Sequence, residues 1–291
     1  MTFKSRTVFR GHGAPVYAVA AADQFIYSGA GDRFVTRWNV QTGLQDGFAI
    51  KLEQAPYCML LAEGVLYIGT ANGTLAAISI SDKQLLWEYN FSGKALFSLL
   101  KTDQGIVFGD EAGNLCLVST SGQKLFAFPL GEGKIKALSA TSTHVYAGFA
   151  SGWVLEFDRT NFNETNRWKL HDSQVNAIAF QNDQMISVGR DGHLVIFDLS
   201  TNTVTKRIPA HYQSIYSILQ VNDQWITCSM DKTIKVWNRD LETVVQKITV
   251  KEGGHSRSVN ALCTFQNASF VSCSDDKTLI CWEKVVDPRN N

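Results

Sequence analysis

The chain has 291 residues, and its 27 Lys plus Arg balance its 27 Asp plus Glu, so the formal net charge is zero. No global field draws in nucleic acid or an anionic membrane. Nowhere do eighteen apolar residues run together, and the N-terminal MTFKSRTVFRGHG lacks the apolar core of a secretion signal. The six cysteines (Cys58, Cys116, Cys228, Cys263, Cys273, Cys281) have neither CxxC spacing nor nearby histidines. Five of them fall in strand-like apolar runs, where a thiol is simply a small hydrophobe. A reduced, cytoplasmic chain is expected.

A strand-like segment, Phe3 to Phe9, opens the chain ahead of Gly11-His12. A unit of about forty residues then recurs seven times, marked by the turn residues Asp32, Asn72, Ala112, Ser151, Asp191, Asp231 and Asp276. Successive spacings are 40, 40, 39, 40, 40 and 45. The last is longer because of Lys251 to Arg257, which reads as an inserted surface loop. Each unit holds short apolar or alternating runs parted by turn chemistry. In the sixth these are Ile215 to Val221, Gln224 to Cys228, Thr233 to Trp237 and Thr243 to Val250. Self-similarity at this period predicts an all-β, seven-bladed propeller of four-stranded antiparallel blades. No linker interrupts the period, so residues 1–291 read as a single domain. After Trp282 only EKVVDPRNN remains, too short and polar for a last strand. The Phe3 to Phe9 segment is therefore expected to pair with the last blade and close the propeller.

The clearest copies are Tyr27 to Asn39, Thr227 to Asn238 and Val271 to Glu283. Gly-His openings stand at Gly11-His12 and Gly254-His255, with Leu170-His171 and Ala210-His211 as variants. Closing pairs are Trp38-Asn39, Trp237-Asn238 and Trp282-Glu283, with the aromatic variants Phe157-Asp158 and Phe197-Asp198. These residues resemble the WD-repeat family over the whole chain. Units two to four lack the histidine, and the stretches around Gly69 and Gly109 resemble repeats of quinoprotein-like propellers. Both families build the same blade.

A Ser/Thr-His-Asp set recurs: His12, Ser28, Asp32 and Trp38; His171, Ser187 and Asp191; His211, Thr227, Asp231 and Trp237; His255, Ser272, Asp276 and Trp282. A catalytic triad would need an exposed nucleophile on a strained turn such as GxSxG, and none is present. The WD resemblance implies a structural hydrogen-bond chain instead, from indole to hydroxyl to imidazole to carboxylate. No clustered metal-ligand spacing, GxxxxGK[ST] loop or GxGxxG turn occurs, so no metal or cofactor is expected.

The same resemblance points three positions of each unit onto one face. Those near the start of the innermost strand give Tyr17, Tyr57, Phe97, Lys136 and Tyr216, with Lys134 two residues upstream of Lys136. The position before the turn gives Arg190 and Met230. Aromatics beside a cationic sector have the composition of a binding hot spot. The expected function is a non-catalytic scaffold, monomeric by itself, holding a protein or peptide segment. The rivals are an anion or small-molecule binder at the channel mouth and, less favoured, a quinoprotein-like enzyme. The latter would need a metal and cofactor pocket that the sequence does not supply.

Overall fold

In a computed structural model residues 2–266 and 268–285 are described. They form seven four-stranded antiparallel sheets, the fold of a seven-bladed β-propeller. Blade one is Val16–Ala22, Phe25–Ala30, Phe34–Asn39 and Gln45–Lys51, and blade two is Pro56–Ala62, Val65–Thr70, Thr74–Ser79 and Leu85–Asn90. Blade three is Leu96–Thr102, Gly105–Asp110, Asn114–Val118 and Lys124–Pro129, and blade four is Ile135–Ala140, His144–Phe149, Trp153–Asp158 and Glu164–Lys169. Blade five is Val175–Gln181, Gln184–Gly189, His193–Asp198 and Thr203–Pro209, and blade six is Ile215–Val221, Gln224–Ser229, Ile234–Trp237 and Val244–Ile248. Blade seven takes Val259–Phe265, Ser269–Ser274 and Thr278–Val285 from the C-terminal end and Thr2–Arg10 from the N-terminal end.

Two compact units make up the chain, Met1–Pro56 with Tyr216–Asn291, and Tyr57–Ile215. In the first, Thr2–Arg10 lies antiparallel to Thr278–Val285, with Phe3 opposite Lys284 and Arg10 opposite Thr278. Phe3 and Phe9 are fully buried there, Phe3 edge-on to Phe270 at 5.0 Å. This is the closure expected from the sequence; of the tail beyond Trp282, residues 286–291 lie outside the described residues. The Lys251 to Arg257 segment contains a capped turn rather than an open loop. Val250–Glu252 is a short 3-10 helix, Thr249 and Glu252 cap it reciprocally, and Gly253 ends it at φ 82°.

The second unit shows how blades without the histidine are packed. Gly69, Gly109 and Gly148 recur on the second strands of blades two, three and four. A Cβ on Gly109 would lie 2.3 Å from Ile135 Cγ2, and one on Gly148 would lie 2.7 Å from Val175 Cγ1. At Gly69 it would meet Cys58 Sγ at 2.6 Å and Leu96 Cβ at 2.9 Å. Leu96, Ile135 and Val175 each begin the innermost strand of the following blade and are fully buried. Glycine is required because the neighbouring side chain fills the space a Cβ would take.

Candidate functional site

The polar set builds a buried staple. In blade one, Trp38 Nε1 donates to Ser28 Oγ at 2.7 Å, His12 Nε2 lies 2.7 Å from the same oxygen, and His12 Nδ1 lies 3.0 Å from Asp32 Oδ2. Blade seven repeats this through Trp282, Ser272, His255 and Asp276, at 2.8, 2.8 and 3.0 Å. With Nδ1–H donating to the carboxylate, Nε2 accepts the hydroxyl proton and the hydroxyl oxygen accepts from the indole, so every group is satisfied. In blade five His171 joins Ser187 at 2.9 Å and Asp191 at 3.0 Å. In blade six Trp237 donates to Thr227 at 2.9 Å, while Asp231 accepts from Thr233 Oγ1 at 2.7 Å and His211 is buried. Ser28, Ser187 and Ser272 have no accessible surface, so no substrate carbonyl reaches their hydroxyls.

The carboxylates are held ionised. Burial raises the Asp191 pKa, but the hydrogen bond and electrostatic attraction of His171, with the His193 and Asp172 amides, outweigh it and hold the carboxyl at about 2. Asp276 follows the same balance and falls further, and Asp32 is also lowered.

Blades two and three satisfy the same turn differently, and blade four buries an acid away from it. In blade two Thr70 Oγ1 donates to Asn72 Oδ1 at 2.7 Å. In blade three the buried Asp110, two residues before Ala112, accepts from the Ala112 and Asn114 amides, both at 2.9 Å. Blade four buries Glu156, which accepts from Tyr146 Oη at 2.8 Å, Thr165 Oγ1 at 2.7 Å and Asn166 Nδ2 at 2.6 Å. Sequence reasoning missed Asp110 because the acid stands two residues before the expected position, and Glu156 because it lies on the third strand, away from the turn.

Three of the candidate binding positions, Tyr17, Phe97 and Lys136, share one backbone device. The ladder between first and second strands shifts register between Val16 and Ala18, Leu96 and Ser98, Ile135 and Ala137, Val175 and Ala177, and Val259 and Ala261. The residues caught in those bulges are Tyr17, Phe97, Lys136, Asn176 and Asn260. A bulge leaves one residue unpaired and re-aims its side chain. Beside each bulge one hydrogen bond joins the other two sequence positions. The amides of Gly31, Glu111, Ala150, Arg190 and Asp275 donate to the carbonyls of Pro15, Ala95, Lys134, Gln174 and Ser258 at 2.8 to 3.0 Å.

The occupants then differ. Asn176 Nδ2 donates to Ser214 Oγ at 2.9 Å and to the Ile215 carbonyl at 2.6 Å, and Asn260 Nδ2 donates to the Val16 carbonyl at 2.8 Å. Both asparagines are consumed as clasps. Within the second unit Tyr57 and Phe97 stack in parallel, 5.6 Å between centroids and 9° between planes. Lys136 Nζ lies 4.3 Å and Lys134 Nζ 5.5 Å from the centre of the Phe97 ring. All four side chains are partly buried, and neither lysine makes an ion pair among the described residues. Lys136 is therefore not a fully solvated charge. Burial lowers its ammonium pKa to about 8, with Lys134 adding to the fall and Cys58 opposing it. The Cys58 thiol beside it is pushed up to about 12, mainly by burial.

Arg190 is exposed in this unit. In the first unit Tyr17 lies against Gly31, Tyr216 is partly buried and Met230 is exposed. Tyr212, 91% exposed directly after His211, was passed over because only the histidine of that loop carried a motif. Among the described residues no group of three or more His, Cys, Asp or Glu is placed to hold a metal, and no helix is long and apolar enough to cross a membrane.

Two family models divide the chain between them. The WD40 family, described as WD domain, G-beta repeat, matches residues 3–39, 202–238 and 246–283. The PQQ_2 family, described as Outer membrane protein assembly factor BamB, matches residues 35–204. The human kinesin-like protein KIF21A is 28% identical over 187 residues, 63% of this chain and only 10% of that protein. The WD40 β-propeller domain of Doa1 superposes with a TM-score of 0.84 at 15% identity, covering 98% of this chain and 97% of that one. The computationally designed Ika8 protein gives 0.73 at 21% identity, over 97% and 100%. The chain thus belongs to the PQQ_2 repeat family, which matches more than half of it, and carries WD40 repeats toward both ends.

Proposed function

We propose that the chain is a non-catalytic scaffold, with residues 1–291 acting as one domain that holds a protein or peptide segment through its bulge positions. The observation carrying this reading is the stack of Tyr57 on Phe97 under Lys136, which puts accessible aromatic and cationic surface where blades five and seven spend an asparagine on internal bonds. Aromatic anchors beside charge are the composition of binding hot spots. Tyr17 and Tyr216 hold the corresponding position in the first unit, while Met230 there and Arg190 in the second stand before the turn. The segment matching the kinesin-like relative forms a small part of that protein, which suits an attached interaction module. No cofactor belongs to this reading. A quinone cofactor with its metal would need carboxylates and arginines converging on a cavity, and the described residues bring no such acid cluster together. Cytoplasmic residence and a monomeric state are part of the same proposal.

The test is a displayed heptapeptide library panned on the whole chain. Enriched peptides should bind wild type and lose binding to Phe97→Ala, while Leu44→Ala, an exposed control just before the outer strand of blade one, keeps it. Equal binding by Phe97→Ala would move the working surface elsewhere.

A further inference from the structure

Lys134 and Lys136 present a specific electrostatic problem. They are two residues apart at the start of one strand, both ammonium groups face the same Phe97 ring, and both are partly buried. A cation withdrawn from water is normally paired, and two like charges brought together repel. The quadrupole of one ring offsets this only in part. Nearby acids do not supply the missing charge. Glu132 is turned to Arg167 at 3.4 Å, Asp110 is occupied by Asn114 and the turn amides, and Glu111 is exposed and makes no ion pair with either lysine.

Resting on the peptide-binding reading above, we infer that Lys134 and Lys136 over Phe97 form a seat for one carboxylate side chain of a bound peptide, whose adjoining apolar side chain packs on Tyr57. A carboxylate suits the seat better than a phosphate. Two lysines offer point charges rather than the forked, bidentate geometry that arginine gives a phosphate. The walls are aromatic and partly dry, so the added desolvation of a dianion is costly. The parallel Tyr57 and Phe97 rings continue the surface from the charged end, which calls for an acidic residue next to an aliphatic or aromatic one.

The test uses peptides from the library that depend on Phe97, measured by fluorescence anisotropy against the full chain. The expected result is enrichment of Asp or Glu beside an apolar residue. Changing that acid to its amide, or using the Lys134→Met/Lys136→Met double variant, should weaken binding by at least about tenfold. A melting temperature no lower than wild type certifies the variant's fold, and the single Lys136→Met variant is the fallback. Phe97-dependent peptides that lack an acid, or that ignore the double variant, overturn the seat while leaving the peptide-binding reading intact. Selective enrichment of phosphorylated peptides, with competition by inorganic phosphate, also overturns it. If no peptide depends on Phe97, the broader reading fails and the seat fails with it.

Discussion

Tyr57 and Phe97 are 40 residues apart in the chain, one repeat, yet their rings lie 5.6 Å apart and within 9° of parallel. The repeat period places equivalent residues of consecutive blades side by side, and at Phe97 a bulge lifts the ring out of the ladder. Lys136 enters one repeat later, at the bulge of blade four. A local backbone irregularity, copied by repetition, thereby assembles a contiguous surface from residues far apart in sequence.

Acid–base behaviour follows from the burial of Lys136, whose pKa stands at about 8 in the folded chain against 10.5 ordinarily. The protonated form is disfavoured by folding, so the unfolded chain binds more protons between these values and stability rises with pH across that window. The groups acting on Lys136 are Lys134 on its own blade and Cys58 on blade two. Measured against Lys136→Met, wild-type thermal melts should gain stability from pH 7.5 to 9, below the range where thiols held protonated by burial, such as Cys58, penalise folding. Binding of an acidic peptide should run the other way, weakening as pH climbs through about 8.

Loss of a staple acid should be costly. Asp276→Ala removes the carboxylate partner of the buried His255 Nδ1 and frees the Ser256 amide, at an expected cost of roughly 1–3 kcal/mol in urea denaturation. Ser151→Ala, which removes a buried hydroxyl that has no hydrogen-bond partner, should cost far less. Equal losses would contradict a bonded network.

The acid limb has the opposite sign to that of the lysine. Asp191 has a folded pKa of about 2 against 3.8 ordinarily, so its contribution is full above the higher value and fades as pH falls toward the lower. Denaturation midpoints should fall between pH 4 and 2, and less steeply in Asp191→Asn.

Close packing at the glycines gives a prediction for blades without staples. Gly109→Ala drives a Cβ into Ile135, for which overpacking costs roughly 1–3 kcal/mol by chemical denaturation. The paired variant Gly109→Ala/Ile135→Val should recover part of that loss.

The N-terminal strand should be indispensable. Removing residues 2–10 strips the outer partner from Thr278–Val285 and uncovers the site of Phe3 and Phe9. Light scattering is expected to show association through the exposed strand edge. A monomer with an unchanged melting temperature would contradict the pairing.

The fold was legible because its determinants are periodic. Turn residues recur at fixed spacing, and Gly-His and Trp-Asn pairs mark blade boundaries even where single strands look ambiguous. Strand ends were less legible: Thr233 to Trp237 was expected, but Thr233 turns its hydroxyl to Asp231 and the strand starts at Ile234. The positions in the candidate site could be read from the repeat, but not their roles. Asn176 and Lys136 occupy equivalent places, yet one clasps the neighbouring backbone and the other covers an aromatic ring. That difference depends on which side chain the next blade supplies, and a one-dimensional pattern does not contain it. The buried acids Asp110 and Glu156 were hidden for a related reason, since burial rather than spacing makes them matter.

The central claim is that the Tyr57–Phe97–Lys136 stack is a binding surface. Its most direct test is the dissociation constant of a library-selected peptide for wild type and for Phe97→Ala, at matched melting temperatures. Truncating a hot-spot aromatic costs roughly 2 kcal/mol, so the account predicts binding about thirtyfold weaker in the variant. An unchanged dissociation constant would mean that these rings serve packing alone, and would contradict it.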